Sequence, residues 1–338
     1  GRRLYPARKK IVKTADAVLR ALSNPQTADG FISGEALAER SGVSRQAVWK
    51  AVKRLRLMGA RIEAVTNRGY HLSGTGGILS EDAVASLIDE ALGVRVFVYQ
   101  KIDSTNTEAK RRLAETSDVR SLNHTVIIAS SQTAGRGRLR RTFYSPDASG
   151  VYLSIIYAPK EKIESPALLT ATAAVGVCRA LKAVYDADAK IKWVNDIFMR
   201  GKKVCGILTE GFTDFERGGI SCAVVGIGVN IAVQDFPKEI AAVATSVLDD
   251  KDADTKRSAL SAAIVNNVLS IYASGKKGFA RAMEEYRGRS LLTGKAVTIY
   301  PVVNGADSYD AQVIGVGDDA KLIVKTEDGK ERFLDSEE

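Results

Sequence analysis

The run Gly135-Arg136-Gly137-Arg138-Leu139-Arg140-Arg141-Thr142-Phe143-Tyr144-Ser145-Pro146 places four arginines within six residues and interleaves them with two glycines. Glycines at such positions let backbone N–H groups come close to a ligand. A second run, Lys192-Trp193-Val194-Asn195-Asp196, is soon followed by Lys202-Lys203-Val204-Cys205-Gly206-Ile207-Leu208, adding three lysines and an aspartate between strand-like apolar stretches. This pattern suits a site that holds a triphosphate and a carboxylate side by side, because each anion then meets a charge-assisted donor instead of the other anion. Arginine binds oxyanions bidentately through a planar fork, whereas lysine acts as a movable point charge.

Around this anion site lie four apolar, β-branched runs at 125–129, 151–157, 204–209 and 223–231, with an alanine-rich helix expected over 166–185. Together they predict an α+β arrangement with a mixed or antiparallel sheet. The stretch Gly226-Ile227-Gly228-Val229-Asn230 lacks a third glycine and ends a strand without opening a helix, which excludes a dinucleotide fingerprint. Gly228 and Asn230 are read as strand closure and a substrate contact. No GxxxxGK[ST] occurs, so nucleotide binding of the P-loop type is excluded as well. Asp103-Ser104-Thr105-Asn106 precedes a helix and reads equally well as an N-cap. From Gly294 onward, short β-rich runs at 296–300, 309–316, 321–326 and 332–334 alternate with Asn304-Gly305, Gly317-Asp318 and Asp328-Gly329 turns, which predicts a small SH3-like barrel.

The chain's net charge of +9 is unevenly placed: residues 1–75 carry 15 Lys/Arg against 5 Asp/Glu, and the remainder carries 34 against 35. The excess sits wholly in the first segment and points to a polyanionic partner there. A helical spacing over 14–23 is followed by a short helix near 35–40, a Ser41-Gly42-Val43 turn, and a third helix capped by Ser44 and running to about Met58. On that third helix Ala47, Val48, Ala51, Val52 and Leu55 share one side, and Arg45, Gln46, Trp49, Lys50, Lys53 and Arg56 share the other. Asn67-Arg68-Gly69 between two short strands adds a hairpin, completing a winged helix-turn-helix. Arg45, Gln46, Trp49, Lys50, Lys53 and Arg68 are its candidate DNA-facing residues, with Trp49 placed to meet a thymine methyl or a partner surface.

With 338 residues the chain is long enough for two or three cored domains. No run is read as long and apolar enough for the roughly 20 residues that span a bilayer. The start, Gly1 to Pro6, is basic with no apolar stretch behind it, so no secretory signal is expected, and the cytoplasm is the expected location. Three unpaired cysteines and two histidines argue against a disulfide framework, a zinc site or a histidine-based triad, and no metal ligand set is assigned.

The GRGRLRRTFYSP and KWVND…KKVCGIL stretches resemble, in order, the GRGRRGRxWxSP and KWPND…KxxGIL segments of biotin–protein ligases. Val43 to Lys50 likewise resembles the VSRxAVWK stretch of the bifunctional ligase/biotin operon repressors. The resemblance covers about residues 14–334. It implies a class II synthetase-like central domain and three segments: a winged helix-turn-helix at 1–75, a biotin- and ATP-binding domain at 76–288, and an SH3-like domain at 289–338. It implies that biotin and Mg-ATP give biotinyl-5′-AMP, and that a lysine of a biotin acceptor domain (a biotin carboxyl carrier protein) then takes the biotinyl group. Operator DNA and ligand-driven homodimerisation are implied as well.

By the same resemblance the biotin site draws on Ser104, Thr105, Gln132, Gly135, Arg136, Arg138, Lys203 and Gly206, and the ATP site on Arg138, Arg141, Phe143, Lys192, Asn195 and Asn230. Arg138, Lys192, Asp196 and Lys203 carry the chemistry, Phe143 covers the adenine, and Asp196 accepts a proton from the incoming amine in preference to binding magnesium. Trp193 is read as core, Asn195 also as a turn residue, and Lys202 as solvated. Arg140 stands where the family often has glycine, Phe143 where it has Trp, and Val194 where it has Pro, the last expected to remove a rigid kink. The ending Ser336-Glu337-Glu338 differs from the family's GEVS-type ending, so terminal contacts to ATP are expected to differ. The alternative is a biotin-sensing regulator without turnover. A lipoate- or octanoyl-transferase relative, sharing the central fold, is disfavoured by the pairing of DSTN with GRGR.

Overall fold

The fold is that of a computed structural model, which describes residues 14–338 apart from 16, 26, 28, 75–76, 214–218, 234, 251–254, 302–306 and 336–338. The expected segment boundary at 75–76, the Asn304-Gly305 turn and the Ser336 to Glu338 ending lie outside the described residues. The chain divides into two units, Gly1–Ala83 with Asp254–Ser258, and Val84–Ala253 with Ala259–Glu338.

The first unit is built from α1 (helical at residues 14–15 and 17–23), α2 (Gly34–Ser41), α3 (Arg45–Leu57) and a hairpin of β1 (Arg61–Val65) with β2 (Gly69–Gly74). Ser33 and Ser44 accept from the backbone N–H groups of Ala36 and Ala47, so each helix start has one of its otherwise unpaired donors satisfied. Val48, Ala51, Val52 and Leu55 of α3 are buried in one cluster with Leu22, Ile32, Leu37 and Ile62. This is the winged helix-turn-helix expected from the sequence. The segment 254–258 also belongs to this unit, which the sequence did not suggest. Arg257 is fully buried there; its Nε donates to the Gly77 carbonyl at 2.9 Å and its Nη2 to that of Met58 at 2.8 Å.

The second unit is α+β with a mixed sheet, as expected. Its seven strands stand in the order β3 (Arg95–Ile102), β4 (Thr125–Gln132), β5 (Gly150–Tyr157), β9 (Ile220–Asn230), β8 (Lys202–Thr213), β7 (Asp196–Met199) and β6 (Lys190–Lys192). Only β3 and β4 pair in parallel. The remaining helices are α4 (Glu81–Ala85), α5 (Thr105–Ala114), α6 (Pro166–Tyr185), α7 (Lys238–Ala241), α8 (Arg257–Ala273) and α9 (Gly275–Arg289). Helix α6 lies along one sheet face, where Val225, Ile227, Val229, Cys205 and Ile207 are all buried. The opposite face is packed by α5 over Ile127, Ile156 and Val224, and is open beyond them.

Contrary to the expectation that no run is long and apolar enough to span a bilayer, the 20-residue α6 could do so by length and composition, but 67% of its apolar window is buried within the fold, so it is a core helix. The C-terminal strands β10 (Ala296–Ile299), β11 (Tyr309–Val316), β12 (Leu322–Thr326) and β13 (Glu331–Leu334) pair successively as an antiparallel meander, consistent with the expected SH3-like domain.

A Cβ on Gly176 of α6 would lie 2.7 Å from Val268 Cγ2 and 3.1 Å from the Val268 nitrogen of α8. Alanine is favoured over glycine inside a helix by up to about 1 kcal/mol. Overpacking against a neighbouring backbone costs about 1–3 kcal/mol and should win. Gly176→Ala is therefore expected to lower the urea midpoint at unchanged slope; a raised midpoint would show that α6 and α8 separate freely.

Candidate functional site

Residues directly opposite each other in a ladder share a face of the sheet. Successive pairings Lys192↔Asp196, Asp196↔Gly206, Gly206↔Gly228, Gly228↔Tyr152 and Tyr152↔Ala129 therefore set one row across six strands on the open face. The strand alternation adds Asn230 and Gly226 to the same face, with Ser154 opposite Gly226. Three glycines leave the middle of this face bare. The Phe143 ring fills part of the space: a Cβ on Gly228 would lie 2.6 Å from it, and one on Gly206 3.4 Å. Tyr152 meets Phe143 edge-on at 6.3 Å between centroids.

Phe143 closes the arginine-rich run into a tight hairpin. Its N–H donates to the Gly135 carbonyl at 2.9 Å, Arg136 bridges Thr142, and the Gly137 N–H donates to the Arg141 carbonyl at 2.8 Å. At the tip Leu139, rather than Arg140 at the family's glycine position, takes the left-handed conformation with φ 52°. Arg136 and Arg141 are exposed, and Arg138 reaches back to donate from Nη1 to Asn195 Oδ1 at 3.1 Å. Asn195 in turn donates from Nδ2 to the Ile207 carbonyl at 3.0 Å, so it both fixes a turn and holds Arg138.

On the row itself, Lys203 Nζ lies 2.7 Å from Asp196 Oδ1. The contact is an ion pair without the alignment of a hydrogen bond, since that oxygen has no hydrogen-bond partner among the described residues. The ammonium sits 3.1 Å from where a Gly206 Cβ would be, so it lies over the bare strip. Lys192 is exposed on the edge strand β6, opposite Asp196. Asn230 is buried, its Nδ2 donates to the Thr245 carbonyl at 3.4 Å, and its Oδ1 has no partner among the described residues. A buried amide oxygen left in that state is costly unless a ligand completes it.

The Trp193–Val194 peptide bond is cis, so the kink expected to vanish with Val194 is present. Trp193 is buried, as expected, and donates from Nε1 to the Ala320 carbonyl at 2.8 Å. Lys202 donates to the Ala241 carbonyl at 3.1 Å in an exposed setting.

At the start of α5 the N-cap reading of Ser104 fails: the residue occupies the cap position and is buried, but its side chain makes no cap bond. Thr105 donates to Gln132 Oε1 from its N–H at 2.8 Å and from Oγ1 at 3.2 Å; Gln132 Nε2 donates to Ser145 Oγ at 2.9 Å. Sequence reasoning missed Asn106, Ser154 and Glu210 beside them. A lone serine in the run Gly150 to Tyr157 and a glutamate ending Gly206-Ile207-Leu208-Thr209-Glu210 were the available signals. Burial pushes the Glu210 carboxyl up, but bonds from Lys110 and Asn106 and the charge of Arg136 outweigh it and leave it below the ordinary carboxylate range. The cysteines are all buried and free, and burial raises Cys178 and Cys222 to about 12, so none supplies a thiolate at neutral pH.

In the first unit, Arg45, Gln46, Trp49, Lys50 and Lys53 are all exposed on α3. Trp49 is 55% exposed, with Lys53 Nζ 5.5 Å from its ring centre. Arg68 is engaged within the unit: it pairs with Asp29 at 2.9 Å and lies 4.1 Å over the Phe31 ring.

Residues 98–230 match the Biotin/lipoate A/B protein ligase family, and residues 25–71 match a family described as HTH domain. The bifunctional ligase/repressor BirA proteins of Bacillus spizizenii and Bacillus subtilis are each 30% identical over 320 residues, covering 92% of this chain and 94% of theirs. Among solved structures, the biotin protein ligase of Aquifex aeolicus in complex with biotin and ATP superposes with a TM-score of 0.56 at 25% identity, covering 72% of this chain and 96% of that one.

Because the Glu210 carboxyl is held below its ordinary value, its contribution to stability is complete at neutral pH and fades as the pH falls through the folded-state value. Glu210→Gln is expected to flatten the acid limb of the stability curve below the ordinary carboxylate range, and to leave the slope above neutrality unchanged. An acid limb identical to that of the parent chain would show that the carboxyl is not held.

Proposed function

We infer, because the chain belongs to the family of bifunctional biotin–protein ligase/repressors, that the bare face of its sheet activates biotin with ATP and passes it to an acceptor lysine. Biotin–protein ligase activity and a repressor-type helix-turn-helix come with that membership. The reading rests on one observation above others: Arg138, Lys203, Asp196 and Lys192 converge at one end of a row floored by Gly206 and Gly228. For function we keep three segments, 1–75, 76–288 and 289–338.

In the first step a biotin carboxylate oxygen bonds to the α-phosphorus of ATP and the bond to pyrophosphate breaks, giving biotinyl-5′-AMP. In the second, a lysine amine of the acceptor domain forms an amide at the acyl carbon, AMP leaves, and the amine loses a proton. No enzyme nucleophile is required; the protein's part is positioning and charge neutralisation. Arg136 and Arg138 hold the α-phosphate and carboxylate, Lys203 neutralises the reacting oxygens, and Lys192 faces the phosphates. Arg141, Asn195 and Asn230 complete the nucleotide site, and Phe143 covers the adenine. Ser104, Thr105, Gln132, Gly135 and Gly206 receive the uncharged head group of biotin, and Asp196 takes up the amine's proton. Among the described residues no three His, Cys, Asp or Glu side chains converge as a metal site, so magnesium would arrive on the nucleotide's phosphates.

The first unit would bind operator DNA through α3, as part of a homodimer that biotinyl-5′-AMP promotes. Mass spectrometry of an acceptor domain incubated with the chain, biotin and Mg-ATP should show one added biotinyl group on one lysine. Biotin bound without any gain in mass would establish the sensing regulator instead.

Arg138→Gly removes the arm anchored on Asn195 and should release biotinyl-5′-AMP, raising the labelling of bystander proteins by about tenfold or more. Unchanged selectivity would remove the assigned role of Arg138. On DNA, Lys50→Ala and Lys53→Ala should each weaken binding about equally across sequences and reduce the salt slope by about 1. Arg68→Ala should do less, since Asp29 already holds that guanidinium; a loss as large as at Lys50 would show that DNA displaces Asp29.

A further inference from the structure

Glu210 touches none of the groups assigned to ligand, yet a chain of buried polar contacts starts from it. Its Oε1 accepts from Lys110 Nζ and its Oε2 from Asn106 Nδ2, both at 2.8 Å. An ionised carboxylate can only accept, so the end of the Asn106 amide that faces it has to be the nitrogen. The amide oxygen then points the other way and takes the Ser154 hydroxyl proton across 2.6 Å. Ser154 has a single proton, so at its second contact, 2.8 Å to Thr105 Oγ1, the serine oxygen is left as an acceptor. Thr105 Oγ1 also donates to Gln132 Oε1 at 3.2 Å, so its one proton is divided between Ser154 and Gln132. With its proton committed inside the protein, Thr105 has only lone pairs left to offer.

Thr105 and Asn106 are each 4% exposed and Ser154 is fully buried, so solvent does not rescue a reversed contact. Gly226 belongs to the same arrangement: a Cβ there would fall 2.1 Å from Asn106 Oδ1, so the glycine makes room for the amide.

We propose that Glu210 is a positioning residue that sets the hydrogen-bond polarity of the head-group pocket, so that Thr105 reads an N–H of the biotin ureido ring and not its carbonyl. The proposal rests on the assignment of Thr105 to the biotin pocket. It gives the site a basis for refusing acyl chains without a ureido ring, whose binding would leave the chain's terminal acceptor unpaired.

The test is biotin-dependent pyrophosphate exchange with the full chain, measuring KM for biotin and for ATP separately. Glu210→Gln keeps the shape but offers a donor to Asn106, so the amide loses its bond or turns over. The expected result is a rise of about tenfold in KM for biotin, with KM for ATP within about twofold. Lys110→Gln breaks the ion pair and leaves the Glu210–Asn106 bond; it should keep KM for biotin within about threefold. A biotin N-methylated on the ureido ring should be discriminated against strongly by the parent chain and less so by Glu210→Gln. A joint rise of both KM values, or the same biotin effect from Lys110→Gln, would make Glu210 merely structural and overturn the proposal. An unchanged KM for biotin in Glu210→Gln, with a raised one in Thr105→Val, would overturn it and leave the biotin pocket standing. If Thr105→Val also binds biotin normally, the pocket assignment itself falls.

Discussion

The approach of the Phe143 ring to the backbone at Gly206 and Gly228 is the constraint from which the rest of the site follows. Two glycines side by side on adjacent strands weaken a sheet, because each forgoes side-chain packing and fixes a freer backbone. The cost is offset on the other face, where the same strands bury Cys205, Ile207, Ile227 and Val229 beneath α6. With the aromatic ring seated in the gap, the hairpin from Gly135 to Phe143 has one way to close, and closing it carries Arg136 and Arg138 to the open face. The strip remaining beside the ring is where a ligand can lie against backbone.

Holding several cations together raises a second problem, since they repel and a ligand must find them already aimed. Two consecutive residues solve it: Asn195 receives Arg138 and Asp196 receives Lys203. Both belong to the turn that begins at the cis Trp193–Val194 bond. That turn is anchored from two sides, by Trp193 donating to the Ala320 carbonyl of the C-terminal meander and by Tyr286 of α9 donating to the Val194 carbonyl at 3.3 Å. The C-terminal strands thus help fix the direction of cations to which they contribute no charge. It is a physical reason for the small β domain to accompany this sheet.

Much of this was legible in the residues, and the division between read and unread has causes. The cationic runs stood out because charge of that density has few structural uses. The wing and α3 stood out because caps, turn and periodicity agree. Strand β3 was not read, since its pattern from Arg95 to Ile102 is half-exposed and its partner lies in parallel, beyond any local turn. Helix α8 was not read because it is apolar nearly all round and so lacks a helical stripe. The replacement of proline at Val194 was read as a lost kink, whereas tertiary anchors keep the turn. Glu210, Asn106 and Ser154 each look ordinary in isolation; only the sheet register brings them together.

Arg257 has a bearing on where the first unit could be cut. The helix-turn-helix unit is sequence-continuous only in appearance, because it also draws on residues 254–258. Severed after Ala83, it would forfeit the buried guanidinium that donates to the Met58 and Gly77 carbonyls, and of these the Met58 carbonyl would keep the Leu79 N–H at 2.8 Å. Excised at the front of the chain alone, the unit would therefore lack a piece of itself that lies far downstream in the sequence.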